Sequence, residues 1–101
     1  MRVKIFQVVG PDLATRNGCD KLFELLEQKP ERKITLDFSN VSSISRSFAH
    51  QYLMKKNLSE KVILEVQVPI LVQRMLDFVK NQTGRRQIAD DNLRSELIST
   101  F

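Results

Sequence analysis

The chain is poor in the residues that most catalytic and metal chemistry requires. It has one cysteine, Cys19, one histidine, His50, and no tryptophan. A lone cysteine excludes an intrachain disulfide and fits a reducing cytoplasm. One histidine and one cysteine cannot by themselves supply a zinc ligand set. Glycine is equally scarce. Gly10, Gly18 and Gly84 are isolated, so no glycine-rich phosphate loop is present. Tyr52 is the only tyrosine, and the aromatic, basic motif of an RNA-binding sheet is missing. No run approaches the ~18 apolar residues of a membrane span. The opening Met1-Arg2-Val3-Lys4-Ile5 is broken by charge at once, unlike a signal peptide. Without a secretory route, Asn40-Val41-Ser42 and Asn81-Gln82-Thr83 mean nothing as glycosylation sites.

What is there suits an ordinary globular protein. Of 101 residues, 42% are hydrophobic, enough for a modest core and too many for a disordered chain. One domain over residues 1–101 is expected, with the tail 85–101 least defined. The net charge of +4 comes from 16 basic and 12 acidic residues. The basic residues are spread along both halves with no block or tail. Charge alone is therefore a weak argument for nucleic acid.

Hydrophobic spacing predicts alternating strands and helices. Val3, Ile5, Val8 and Val9 form a β-rich opening run that Gly10-Pro11-Asp12 closes. Cys19, Leu22, Phe23 and Leu26 then fall on one helical face. Thr15 or Asn17 is its candidate cap, Gly18 weakens its first turn, and Pro30 ends it. On that stripe Cys19 reads as a small core residue. Lys33–Phe38 alternates as a strand. Phe48, Ala49, Tyr52 and Leu53 make the stripe of a second helix, which leaves His50 on its polar side. Lys55 and Lys56 sit in the last turn, where cations suit the dipole, and Asn57 is a candidate left-handed cap. Val62–Val68 reads as a third strand. Pro69 opens a third helix with Val72, Met75, Leu76 and Val79 on one face, and Gly84 is its stop signal. Asp90 or Asp91 then caps a short tail helix carrying Leu93, Leu97 and Phe101.

The expected order is β-α-β-α-β-α plus a tail, an α/β fold with parallel strands covered by helices. Leu22, Phe23, Leu26, Leu36, Phe38, Phe48, Leu53, Leu64, Leu76 and Val79 are the expected core.

The segment between the second strand and the second helix stands out. Ser39, Ser42, Ser43, Ser45 and Ser47 lie within nine residues. Serines favour turns and helix caps because their hydroxyls bond nearby backbone N–H groups. A hydroxyl at a helix start also sits where the dipole favours a phosphate. Ser47, just before the apolar stripe that begins at Phe48, is the candidate phosphorylation site. Ser43, Ser45 and Arg46 form the candidate partner-binding loop, the Arg46 guanidinium being suited to a carboxylate or phosphate.

These residues carry a resemblance. Asp37-Phe38-Ser39-Asn40-Val41, then Ile44-Ser45, then Ser47-Phe48-Ala49 resembles the STAS-like domain family of unknown function. It is most specific over Leu36–Leu53 and looser from Thr15-Arg16 to about Val79. That family is related in fold to the bacterial anti-anti-sigma factors, whose Asp-Ser-Ser-Gly turn is phosphorylated on its second serine. By position, Ser45, Arg46, Ser47 and Phe48 match those four residues, and Ser47 alone keeps its residue type. His50 and Gln51 stand where STAS-like members commonly carry acids. The resemblance implies a non-enzymatic signalling module without a cofactor or metal. Its partner would be an anti-sigma factor or a histidine-kinase-like ATPase, with Ser47 as the switch. Two alternatives stand beside it. One is a basic nucleic-acid-binding module using Lys55, Lys56, Arg85 and Arg86. The other is a small enzyme using Cys19 or His50.

Overall fold

The computed structural model describes residues 1–92, with side chains through Gln82. Its elements run β1 (Arg2–Lys4), α1 (Ile5–Val8), β2 (Asp12–Leu13), α2 (Arg16–Gln28), β3 (Lys33–Asp37), β4 (Ser43–Ile44), α3 (Arg46–Leu58), β5 (Val62–Val66) and α4 (Ile70–Asn92). The three longer strands form one parallel sheet in the order β1-β3-β5, and β2 pairs with β4 in a second parallel pair. The chain is therefore α/β with a small parallel sheet, as the alternation predicts.

Stepping across the sheet in one direction puts both crossover helices, α2 and α3, on the same face. The register fixes what they cover. Val3 pairs with Leu36 and Ile34 with Ile63, and all four side chains are buried beneath those helices. Leu22, Phe23 and Leu26 of α2 and Phe48, Ala49 and Tyr52 of α3 complete that core. Phe23 and Phe38 flank the Tyr52 ring at centroid distances of 5.9 and 6.0 Å. Among the described side chains of α4, Val72, Leu76 and Val79 are buried.

Several boundaries differ from the sequence reading. The opening run is not one strand: β1 stops at Lys4, where its partner β3 stops at Asp37. Ile5 then drops into the core at the start of α1, so packing overrides the β preference of the valines. Gly10, at φ +110°, reverses the chain in a conformation few L-residues adopt. Thr15 caps α2 by accepting from the Gly18 N–H at 3.0 Å. Gly18 also lies close to its neighbours, since a Cβ there would stand 3.3 Å from both Thr15 Oγ1 and Val9 Cγ1.

Asn57 is not a left-handed cap. It lies inside α3, whose C-cap Ser59 is extended, while among the described residues the left-handed non-glycine ones are Asn40 and Gln67. Gln67 ends β5 before the expected Val68. Leu64 is not core. It projects from the face opposite the helices and is 46% exposed, and Leu53 is half-buried. Gly84 does not stop α4, which runs on to Asn92. A single interior glycine costs only about 1 kcal/mol relative to alanine, and no proline follows to enforce the end. Asp90 and Asp91 lie within α4, while Leu93, Leu97 and Phe101 fall outside the described residues.

Candidate functional site

The serine segment leaves β3 at Asp37, a carboxylate buried on the sheet's outer side. Asp37 Oδ1 accepts from the Ser39 N–H at 2.8 Å. Its Oδ2 accepts from Arg2 Nε and Nη2 at 3.1 and 2.9 Å. The Ser39 bond, aided by Arg2, pulls its pKa from 3.8 down to about 2. Asn40, at φ 66°, then turns the chain back, a conformation asparagine tolerates well.

The next residues are not a free loop. Ser43 and Ile44 pair in parallel with Asp12 and Leu13. Ser42 N–H donates to Pro11 O at 2.7 Å, and Ser45 N–H to Leu13 O at 2.8 Å. The Ser43 hydroxyl donates to Asp12 Oδ1 and the Ser45 hydroxyl to Ala14 O, both at 2.8 Å. The partners on this second strap, Pro11 to Ala14, were not legible as site residues. Their pairing spans some thirty positions, and each strand is only two residues long.

The cap of α3 is Ser45, whose Oγ accepts from the Phe48 N–H at 3.0 Å. Ser45, rather than Ser47, therefore holds the cap position. Ser47 is the second residue of α3, and its side chain is exposed. Arg46, the first residue, lies along α4: its guanidinium stands 5.6 Å from the Phe78 ring centroid and donates to Gln82 Oε1. The caps of α2 and α3 are neighbours, because Ser45 bonds the carbonyl of Ala14, which precedes the Thr15 cap. Two helix N-termini thus meet beside the C-terminal ends of the parallel strands, and α3 has no acidic residue in its first turn. Their unpaired N–H groups favour negative charge at this end of the molecule.

The alternative residues are placed differently. Cys19 is fully buried, and burial reinforced by Asp20 pushes its thiol up to about 12. His50 is exposed on α3. Lys55 stands 3.6 Å from Asp20, and Lys56 donates to Glu65 at 3.1 Å. The side chains of Arg85 and Arg86 lie outside the described set. Glu65 also accepts from the buried Tyr52 hydroxyl, whose pKa burial and the Glu65 charge raise. This Tyr52–Glu65–Lys56 cluster went unforeseen, since its acid lies in an apolar strand and its partners on another element. An open groove of about 790 Å³ lies between α2 and α3, lined by Asp20, Glu24, Glu27, Lys55, Leu58 and Glu60 among others, and Ser47 does not line it. Among the described residues no group of three or more His, Cys, Asp or Glu is placed to hold a metal ion, and no helix is long and apolar enough to cross a membrane.

No protein-family model, curated protein or solved structure matches this chain.

Proposed function

We propose that this chain is a non-enzymatic protein-interaction module of STAS-like type, switched by phosphorylation of Ser47. The observation that carries the reading is the contrast within the serine segment. Ser43 and Ser45 are tied to Asp12 and Ala14, whereas Ser47 is exposed at the second position of α3. The pinned residues form a platform beside the exposed Ser47 hydroxyl. A phosphate on Ser47 adds about −1.5 to −2 charge where two helix N-termini favour it. The domain accommodates that charge, and a partner docked over Ser43, Ser45 and Arg46 meets a changed surface. The sequence resemblance supports a cytoplasmic anti-sigma factor or histidine-kinase-like ATPase as that partner.

Two observations weigh against the alternatives. The Cys19 thiol is buried and its pKa raised, which makes it a poor nucleophile. Lys55 and Lys56 each face a carboxylate of their own chain, which lowers their value to a nucleic-acid backbone. Binding to mixed-sequence nucleic acid that weakened steeply with salt would restore that alternative.

The test is capture of partners from the source cell with wild type, Ser47→Ala and Ser47→Asp, with intact-mass measurement of the recovered chain. The reading expects a phosphate adduct in wild type that Ser47→Ala abolishes, and a protein partner that Ser47→Asp fails to retain. A partner held equally by all three chains would overturn the switch.

A further inference from the structure

The two edges of the sheet are finished differently. On edge strand β1 the outward side chains are Arg2 and Lys4, both charged. Charged side chains are a common way of blunting an edge against pairing with another chain. On edge strand β5 the outward side chains are Val62, Leu64 and Val66, and Val62 and Leu64 are 47% and 46% exposed. The strand has no proline. Its only charge, Glu65, points to the helix-covered face, where Tyr52 and Lys56 hold it.

The backbone of β5 is open as well. A parallel strand uses the main-chain groups of alternate residues toward one neighbour. Val62 N–H donates to Arg32 O, and Phe38 N–H donates to Val66 O. Those bonds at the two ends of the register turn Val62, Leu64 and Val66 toward β3. Ile63 and Glu65 therefore direct their N–H and C=O groups away from the sheet, and no described strand pairs with them.

We propose that β5 is a self-association edge, on which a second copy of this chain pairs antiparallel about a two-fold axis at Leu64. This goes beyond the switch reading and does not depend on it. The register argues for a second copy because the strand is self-complementary. With Leu64 opposite Leu64, Val62 falls opposite Val66, so every outward pair is apolar against apolar. Ile63 falls opposite Glu65, and each such pair exchanges both main-chain hydrogen bonds. All the outward-pointing backbone groups of the two residues are then satisfied. The interface is isologous, as a closed dimer requires, and the two sheets become one. A pairing of two five-residue strands is too short to bury the ~1,200 Å² of a stable complex, so the dimer is weak and concentration-dependent.

Sedimentation velocity of the full chain over a concentration series tests this. Wild type should shift from monomer to dimer. Leu64→Lys sets like charges across the axis at an exposed position; it should weaken dimerisation at least about tenfold and leave the circular dichroism spectrum unchanged. Val62→Lys and Val66→Glu should each weaken it, and the double variant should recover it, because opposite charges then face each other. Leu64→Cys should give a disulfide-linked dimer on mild oxidation. Leu64 forms a close, non-hydrogen-bonded pair, whereas the buried Cys19 of wild type should give none. A wild type that stays monomeric throughout, as it would if β5 were covered by its own chain beyond Asn92, overturns the proposal. So does a dimer that survives Leu64→Lys, or a Leu64→Cys chain that fails to cross-link.

Discussion

The two faces of the three-stranded sheet are built from the same short strands on opposite terms. Leu36 and Leu64 lie on adjacent strands, one residue out of register. Leu36 points under α2 and α3 and is fully buried, while Leu64 points the other way and is 46% exposed. The covered face is apolar except at Glu65, which two donors neutralise. The other face mixes Arg2, Lys4, Lys33, Thr35 and Asp37 with the valines and leucine of β5. In a sheet with period two, a one-residue shift decides whether a leucine is structural or available.

The sharpest way to break this contrast is to truncate both leucines. Leu36→Ala should cost roughly 2–5 kcal/mol, lost transfer energy plus a residual cavity, and Phe48→Ala should fall in the upper part of a similar range. Leu64→Ala should stay within about 1 kcal/mol when measured at low protein concentration. Chemical denaturation reads both values. Equal losses at Leu36 and Leu64 would mean that the outer face is covered after all.

A smaller effect tests the strap that holds the serine segment. Ser45→Ala removes the acceptor of the Phe48 N–H and the donor to Ala14 O together. It should cost about 1–2 kcal/mol by thermal or chemical denaturation. Thr15→Ala loses only the Gly18 N–H bond of the α2 cap and should cost less.

Much of this was legible in the chain and some was not, for physical reasons. The helical faces of α2 and α3 follow from the spacing of Cys19, Leu22, Phe23 and Leu26 and of Phe48, Ala49 and Tyr52, because burial imposes that period. The strand over Lys33–Asp37 follows from its alternation. Val62-Ile63-Leu64-Glu65-Val66 has no clear alternation, so period two could not say which of Ile63 and Leu64 faces inward; only the register with β3 does. The cap of α3 was ambiguous for a related reason. Ser45 and Ser47 both precede Phe48, and the choice depends on Ala14, a residue far away in sequence. The pairing of β2 with β4 is a tertiary fact that two-residue strands do not announce.

The outer face also carries a buried acid, which gives a pH test of modest size. Asp37 has a folded pKa of about 2 against an ordinary 3.8, so its ionised form is favoured by folding. The stability it contributes is complete above about pH 4 and is lost as pH falls from 3.8 through about 2. Melting temperature followed down that window should fall more steeply for wild type than for Asp37→Asn. Arg2→Met should keep part of the steepness, because the Ser39 N–H bond, the larger cause, remains. Parallel wild-type and Asp37→Asn profiles would remove the argument that this carboxylate is held ionised.

The smallest stability effect belongs to the residue given the largest functional weight. Ser47 sits two positions past the Ser45 cap with its side chain exposed. Ser47→Ala should therefore change stability by less than about 0.5 kcal/mol, since alanine has the better helix propensity and no cap is lost. Ser47→Asp should stabilise slightly, by about 0.3–1 kcal/mol at low ionic strength, because α3 has no acid in its first turn to meet the dipole. Ser47→Lys should cost a similar amount, and both charge effects should shrink as salt is added. Denaturation midpoints at low and high salt measure all three. If Ser47→Ala cost as much as Ser45→Ala, the hydroxyl would be structural and a phosphate there would disrupt the helix start. If Ser47→Asp destabilised the chain, the field at the meeting of the two N-termini would have the wrong sign for a tolerated phosphate. A near-silent alanine with a mildly stabilising aspartate is the pattern of a position free to take up charge without disturbing the fold.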